Sequence, residues 1–223
     1  MSYDFDFSVV FNNFWPLLEG LETTILLALG ANALGLTVGF IVCLMTLSPF
    51  LILRAPAKLF IEFFRCTPVL IQVVWFFYCV PILFNVYLDP MTMGVLALGL
   101  NLIAFNAEAY RAGVQAVPRE HLDACVALGL GPWNRTVYVV LPQALRNAIP
   151  VLMTNGITIL QQSALVAIVA VADLMYAGKI LATDTYRPLE VYTVVAVIYF
   201  LMSLPISQLV TMIERRQDAA VER

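Results

Sequence analysis

The chain has 223 residues, of which 61% are hydrophobic and 12% charged, about half the charge of an ordinary soluble domain, and its formal net charge is −3. Water is therefore not its main solvent, and no nucleic-acid partner is expected. An outer-membrane type of barrel is excluded as well, because no segment alternates like a barrel strand, so each membrane span must be helical.

Residues 1–22 mix aromatic and acidic side chains and contain Trp15-Pro16, which predicts an extracytoplasmic, interfacial segment. Asp4 and Asp6 stand where a signal peptide would be basic, so the first helix is expected to remain in the mature protein. Beyond it the charges leave uncharged runs at 23–53, 66–88, 90–107, 147–172 and 191–213. Each approaches or exceeds the roughly 20 residues that cross a hydrocarbon core. They predict five transmembrane helices at about 23–47, 59–84, 91–111, 149–172 and 191–213, one membrane domain over 23–215, and a tail at 216–223. Gly30, Ala33, Gly35 and Gly39 in the first span are small residues that let helix backbones approach.

Ten of the 12 basic residues fall in or beside the first and third connections and after the fifth span; only Lys179 and Arg187 lie elsewhere. The positive-inside rule then puts the N-terminus outside and the C-terminus in the cytoplasm. Cys43, Cys66, Cys79 and Cys125 lack the close pairing of metal or redox motifs, and no metal site is expected. No glycine-rich loop is followed by the lysine that binds phosphate, so this chain is expected to bind no ATP.

The third connection, 112–146, carries a short amphipathic stretch. Leu122, Cys125, Val126 and Leu128 give an apolar face at helical spacing, Ala124 and Ala127 keep it slim, and Gly129 and Gly131 end it. Such a helix fits either a groove on a soluble partner or the membrane surface. Leu141-Pro142 is expected to break the chain's helical course on its return to the membrane. His121, the single histidine, reads as a surface residue of this helix.

In this loop Gln115-Ala116-Val117-Pro118, Asp123-Ala124-Cys125, Ala127-Leu128-Gly129 and 140–146 (Val-Leu-Pro-Gln-Ala-Leu-Arg) resemble the EAA loop of binding-protein-dependent ABC importer permeases. The stretches at 62–70 and 107–113 resemble conserved patterns of the polar amino-acid (histidine/glutamine/opine-type) branch. The resemblance implies an all-α type I ABC importer permease fold in the bacterial inner membrane. It also implies a dimeric pathway, an extracytoplasmic solute-binding protein, and cytoplasmic ABC ATPase subunits that hold the ATP and Mg. Coupling to the ATPase would fall to Glu120, Asp123, Ala124, Cys125, Leu128 and Gly129. Two departures stand out: Asp123 replaces the usual Glu, and Ile159-Leu160-Gln161-Gln162-Ser163-Ala164-Leu165 replaces a common pattern carrying Lys-Asp. The second permease is either a copy of this chain or a related one; the missing pair favours a heterodimer whose other permease supplies charged ligand contacts.

Polar residues inside spans are expensive and mark either helix glue or a pathway. Gln161, Gln162 and Ser163 are adjacent, and Asn155 and Thr158 extend the face of Gln162, so a substrate-lining surface is expected there, with Gln72 and Thr67 as further pathway candidates. Glu108 and Arg111, one turn apart, are either a gate or a local helix-end pair, as are Glu62 and Arg65. The leading function is thus an importer permease subunit for a polar amino acid or derivative. An ion-coupled secondary transporter or channel is the alternative, although it usually carries charges near mid-membrane. A membrane scaffold would have glue residues without a polar cavity.

Overall fold

The computed structural model describes residues 5–221, with side chains to Arg215. The readings on Asp4 and on the side chains of 216–223 lie outside this description. All regular structure among the described residues is helical.

A short helix α1 (Ser8–Asn12) precedes α2 (Trp15–Leu47), which is 33 residues long and begins well before residue 23. Pro16 sits in the first turn, where its missing N–H costs nothing, and no breaker follows until Ser48-Pro49. The last third of the segment expected to be merely interfacial, from Trp15 on, is therefore the first two turns of the first span.

The second span departs most from the expectation of one helix over 59–84. It consists of α3 (Leu51–Cys66) and α4 (Val69–Phe84), bent by 107°. Pro68 is the cause: it forces Thr67 into extended backbone (φ −103°, ψ 139°), which no helix can continue through. The third span is α5 (Pro90–Gln115), capped by Asp89, whose carboxylate accepts from Thr92 N at 2.9 Å.

In the third connection α6 (Arg119–Ala127) ends in a Schellman motif: Leu130 N donates to Cys125 O at 3.0 Å and Gly129 N to Val126 O at 2.9 Å, with Gly129 at φ +71°. The break expected at Pro142 is absent. A turn of helix α7 (Pro132–Arg135), a π-helical turn (Thr136–Val140), α8 (Leu141–Gln162) and a 3₁₀ stretch (Ser163–Val169) form one rod over Pro132–Val169. The wider π turn directly before Leu141 and Pro142 makes room for the proline ring and the hydrogen bond it cannot donate.

Between the fourth and fifth spans, where only loop was expected, stands α9 (Leu174–Thr185); α10 (Pro188–Val221) follows. Lys179 and Asp184 hide α9 from a search for uncharged runs, and its N-cap is Asp173, which accepts from Tyr176 N at 2.9 Å.

Among the described residues four helices are long and apolar enough to cross a membrane, five spans if the bent pair counts as one. Three apolar layers hold them together. Leu17, Leu174, Leu181 and Val191 form one end, Leu27, Leu98, Leu102 and Ile159 the middle, and Cys43, Ile61, Tyr110 and Leu152 the other end. α2 and α5 share the most extensive pairing, possible because small residues line α2. A Cβ on Gly35 would stand 2.4 Å from Leu102 Cγ, and one on Gly39 3.2 Å from Ile103 O.

Candidate functional site

At mid-height of the bundle, α5 and α8 enclose a cavity of about 160 Å³ lined by Asn101, Phe105, Asn155, Thr158, Ile159 and Gln162. Asn155, Thr158 and Gln162 are presented by successive turns of α8, and Asn101 and Phe105 by successive turns of α5. Asn155 Nδ2 donates to Asn106 Oδ1 at 3.0 Å, which holds the two helices in register. Gln162 Oε1 is buried and has no partner among the described residues, nor has Asn106 Nδ2. An unpaired buried carbonyl oxygen costs roughly 1 to 3 kcal/mol, so Gln162 is poised to accept a hydrogen bond that the chain does not supply.

Behind the cavity the amides have a different job. Gln72 is buried, and its Nε2 donates to Phe64 O at 2.9 Å, Thr67 O at 3.0 Å and Thr67 Oγ1 at 2.6 Å. Asn101 Nδ2 reaches Phe64 O at 3.2 Å and Gln72 Oε1 at 3.1 Å. These groups satisfy the carbonyls released where α3 stops, which hydrocarbon could not do.

Toward the C-terminal end of α5, Glu108 is gripped by Arg111 in a two-pronged pair (Nε to Oε2 2.9 Å, and Nη2 to Oε1), and Arg65 of α3 approaches Glu108 at 3.9 Å. Arg65 also lies over the Phe105 ring, 5.7 Å from its centre. Glu108 therefore joins α3 to α5, a role beyond a local helix-end pair. Glu62 makes no bond to Arg65 among the described residues; its carboxylate accepts from the Cys66 thiol at 3.9 Å.

On α6, Glu120, Asp123, Ala124, Leu128 and Gly129 are all exposed, Leu128 at 78%, while Cys125 is buried in the chain's own packing at 4%. Exposed Val126 and Trp133 extend the apolar patch of Leu128. His121 Nδ1 is 2.8 Å from Gln143 Oε1, which ties α6 to α8.

Residues 31–219 match the family of the binding-protein-dependent transport system inner membrane component. The chain belongs to that family. Over 217 residues it is 32% identical to the glutamine transport system permease protein GlnP of Escherichia coli (strain K12), covering 95% of this chain and 97% of that one. It is 31% identical over 221 residues to the glutamate/aspartate import permease protein GltK of Escherichia coli O157:H7, covering 96% and 99%. Among solved structures, an amino acid ABC transporter with histidines superposes with a TM-score of 0.90 at 34% identity, covering 96% of this chain and all of that one. This protein is thus a multi-pass membrane permease subunit of the type I ABC importer fold, and ATP hydrolysis falls to a separate ATPase partner. Subunits of this family work with a second permease and a binding protein. Nothing in these comparisons favours an ion-coupled transporter.

In this permease the residues named from sequence separate into two groups. Gln162 and Asn155 meet in the cavity. Gln161 is exposed on another face of α8, the Ser163 hydroxyl is buried and donates to Leu160 O at 2.7 Å, and Gln72 and Thr67 brace the bend. Sequence reasoning did not single out Asn101 or Phe105 of the lining as pathway residues. Their signal is spacing, since Asn101, Phe105 and Glu108 at i, i+4 and i+7 lie on one face of α5.

Proposed function

We propose that this permease forms half of the translocation pathway for a polar amino acid without net positive charge, and that Gln162, Asn155 and Asn101 contact its zwitterionic head. The carrying observation is the unpaired, buried Gln162 Oε1 facing a cavity with amides on two walls. The Gln162 and Asn101 carbonyl oxygens accept from an ammonium, while the Gln162 amide nitrogen and the second N–H of Asn155 donate to a carboxylate. The volume of about 160 Å³ suits part of a small solute, well below the 300–1,000 Å³ of drug-sized pockets. GlnP and GltK, named for glutamine and for glutamate/aspartate, support the substrate class.

The second permease closes the pathway from the other side, and a heterodimer is favoured by the absence of the Lys-Asp pair beside Gln162. The exposed face of α6, from Glu120 to Gly129, docks a cytoplasmic ATPase that holds the ATP and Mg. Glu108 and Arg111 gate the cytoplasmic mouth. The N-terminus then lies outside and the C-terminus in the cytoplasm of a bacterial inner membrane.

The test is uptake of glutamine, histidine and arginine by the complete transporter in proteoliposomes. Gln162→Leu lowers glutamine uptake about tenfold with assembly intact, as expected for one lost bond to a desolvated solute. Gln162→Asp shifts preference toward arginine. Unchanged uptake and selectivity in both variants at equal incorporation would refute the assignment.

A further inference from the structure

A second cavity, of about 380 Å³, opens between the C-terminal end of α2, the first turns of α3 and the last turns of α5, and the transport reading uses only its Glu108–Arg111 wall. Its charged lining comprises Arg54, Lys58, Glu62, Glu108 and Arg111, with Thr46 and Gln115 as its neutral polar residues. Glu108 is already held by Arg111, so that acid and that cation neutralise each other. Arg54 and Lys58 stand one turn apart on α3 and make neither an ion pair nor a hydrogen bond among the described residues; Lys58 acts on Glu108 only at longer range. Glu62 offsets one of these two cations, which leaves the lining with a single net positive charge.

The surroundings say what kind of anion belongs there. Leu47 lines the same cavity, and exposed Leu44 and Ile41 follow it along α2 toward the middle of the bundle, an apolar track starting at the charged site. On α3 the side away from the cations carries Ile52, Leu59 and Phe63, exposed at 84%, 72% and 58%, so this helix sits at the depth where hydrocarbon meets charge. Basic pockets between membrane helices at that depth hold lipid head groups.

We infer that this cavity binds the phosphodiester of an anionic phospholipid, with Arg54 and Lys58 as its cationic ligands and an acyl chain along Leu47, Leu44 and Ile41. The single net charge of the lining matches that of the phosphodiester, and an arginine paired with a lysine supplies forked and point-charge donors to it. The inference stands whatever solute the pathway carries.

The experiment is a thermal-shift titration of the purified complete transporter in neutral detergent with dioctanoyl phosphatidylglycerol, dioctanoyl phosphatidylcholine or sodium phosphate. Phosphatidylglycerol raises the midpoint saturably, and the other two do not at equal concentration. In the Arg54→Gln, Lys58→Gln double variant the phosphatidylglycerol curve moves at least tenfold higher in concentration. The charge-conserving swap Arg54→Lys, Lys58→Arg keeps it within a fewfold, and Lys179→Gln, remote from the cavity, leaves it in place. Arg54→Gln alone gives a partial shift and is the readout if the double variant does not fold. Wild-type titration in the neutralised variants, or an equal response to phosphatidylcholine, overturns the site. An equal response to sodium phosphate overturns the lipid as its ligand.

Discussion

Asn101 Nδ2 lies 3.1 Å from Gln72 Oε1, and this bond fastens α5 to the lower turn of α4 just past the 107° bend. Because Gln72 also donates to Phe64 O and Thr67, Gln72→Leu strips several buried partners at once. It should lower unfolding stability by roughly 1 to 3 kcal/mol, read as a lower thermal midpoint in detergent. A double-mutant cycle with Asn101→Ala should be non-additive by at least about 0.5 kcal/mol. Strictly additive losses would mean that the two amides act independently and the bend is set by Pro68 alone.

Asp173 supplies a pH dependence. It is fully buried at the start of α9, and burial pushes its carboxyl from 3.8 up to about 6, against the opposing pull of hydrogen bonds from the Tyr176 and Met175 N–H groups and the Tyr199 hydroxyl. The folded state thus holds this proton more tightly than the unfolded chain. The stabilisation is full below about pH 4 and is lost as pH rises to about 6. Asp173→Asn keeps a cap acceptor without the charge, so relative to wild type it should gain up to about 3 kcal/mol between pH 4 and pH 7. Thermal midpoints of both proteins across that range decide the matter: a gap that does not widen with pH would show that Asp173 is charged without penalty.

The exposed face of α6 predicts a separation of assembly from folding. Ala124→Arg puts a long cation into a slim apolar patch that the chain itself does not use, so the thermal midpoint of the permease should change little while co-purification of the ATPase subunit falls severalfold. Cys125→Arg should instead destabilise the permease, because that side chain is buried. Normal ATPase recovery with Ala124→Arg would remove α6 from the docking surface.

Orientation is open to direct measurement. Asn85 and Asn134 are both exposed, at opposite ends of the bundle by the charge distribution. In intact cells a membrane-impermeant thiol reagent should label a cysteine at Asn85 and spare one at Asn134, in a background where the four native cysteines are replaced. The reverse pattern would invert the topology and move α6 away from any cytoplasmic ATPase.

Charge spacing made the number of spans legible, because hydrocarbon tolerates few charges and each long uncharged run had to be used. The ends were less legible. α2 starts at Trp15 despite Glu19 and Glu22, since acids in an early turn do not stop a helix, and α9 stays hidden behind Lys179 and Asp184. Pro68 and Pro142 look alike in sequence and act differently. Pro68 ends a helix, whereas a π turn absorbs Pro142, and that depends on tertiary packing no local pattern carries. For the site, Gln162 and Asn155 could be paired by helical spacing. Gln72 and Thr67 could not be told from pathway residues, because their task exists only once α3 and α4 separate.

The bend also bears on how the chain enters a bilayer. With 16 residues each, α3 and α4 are about 24 Å long, and neither alone matches a hydrocarbon core of roughly 30 Å. Insertion machinery meets instead the uncharged run at 66–88, long enough to partition as one segment that overlaps the bend. Pro68 breaks the helix within that segment, and α5 then brings Asn101 to cap a carbonyl that the bend opens. A nascent chain halted before α5 would carry the bend but leave Phe64 O without its Asn101 donor, so biogenesis of the second span is completed by the third.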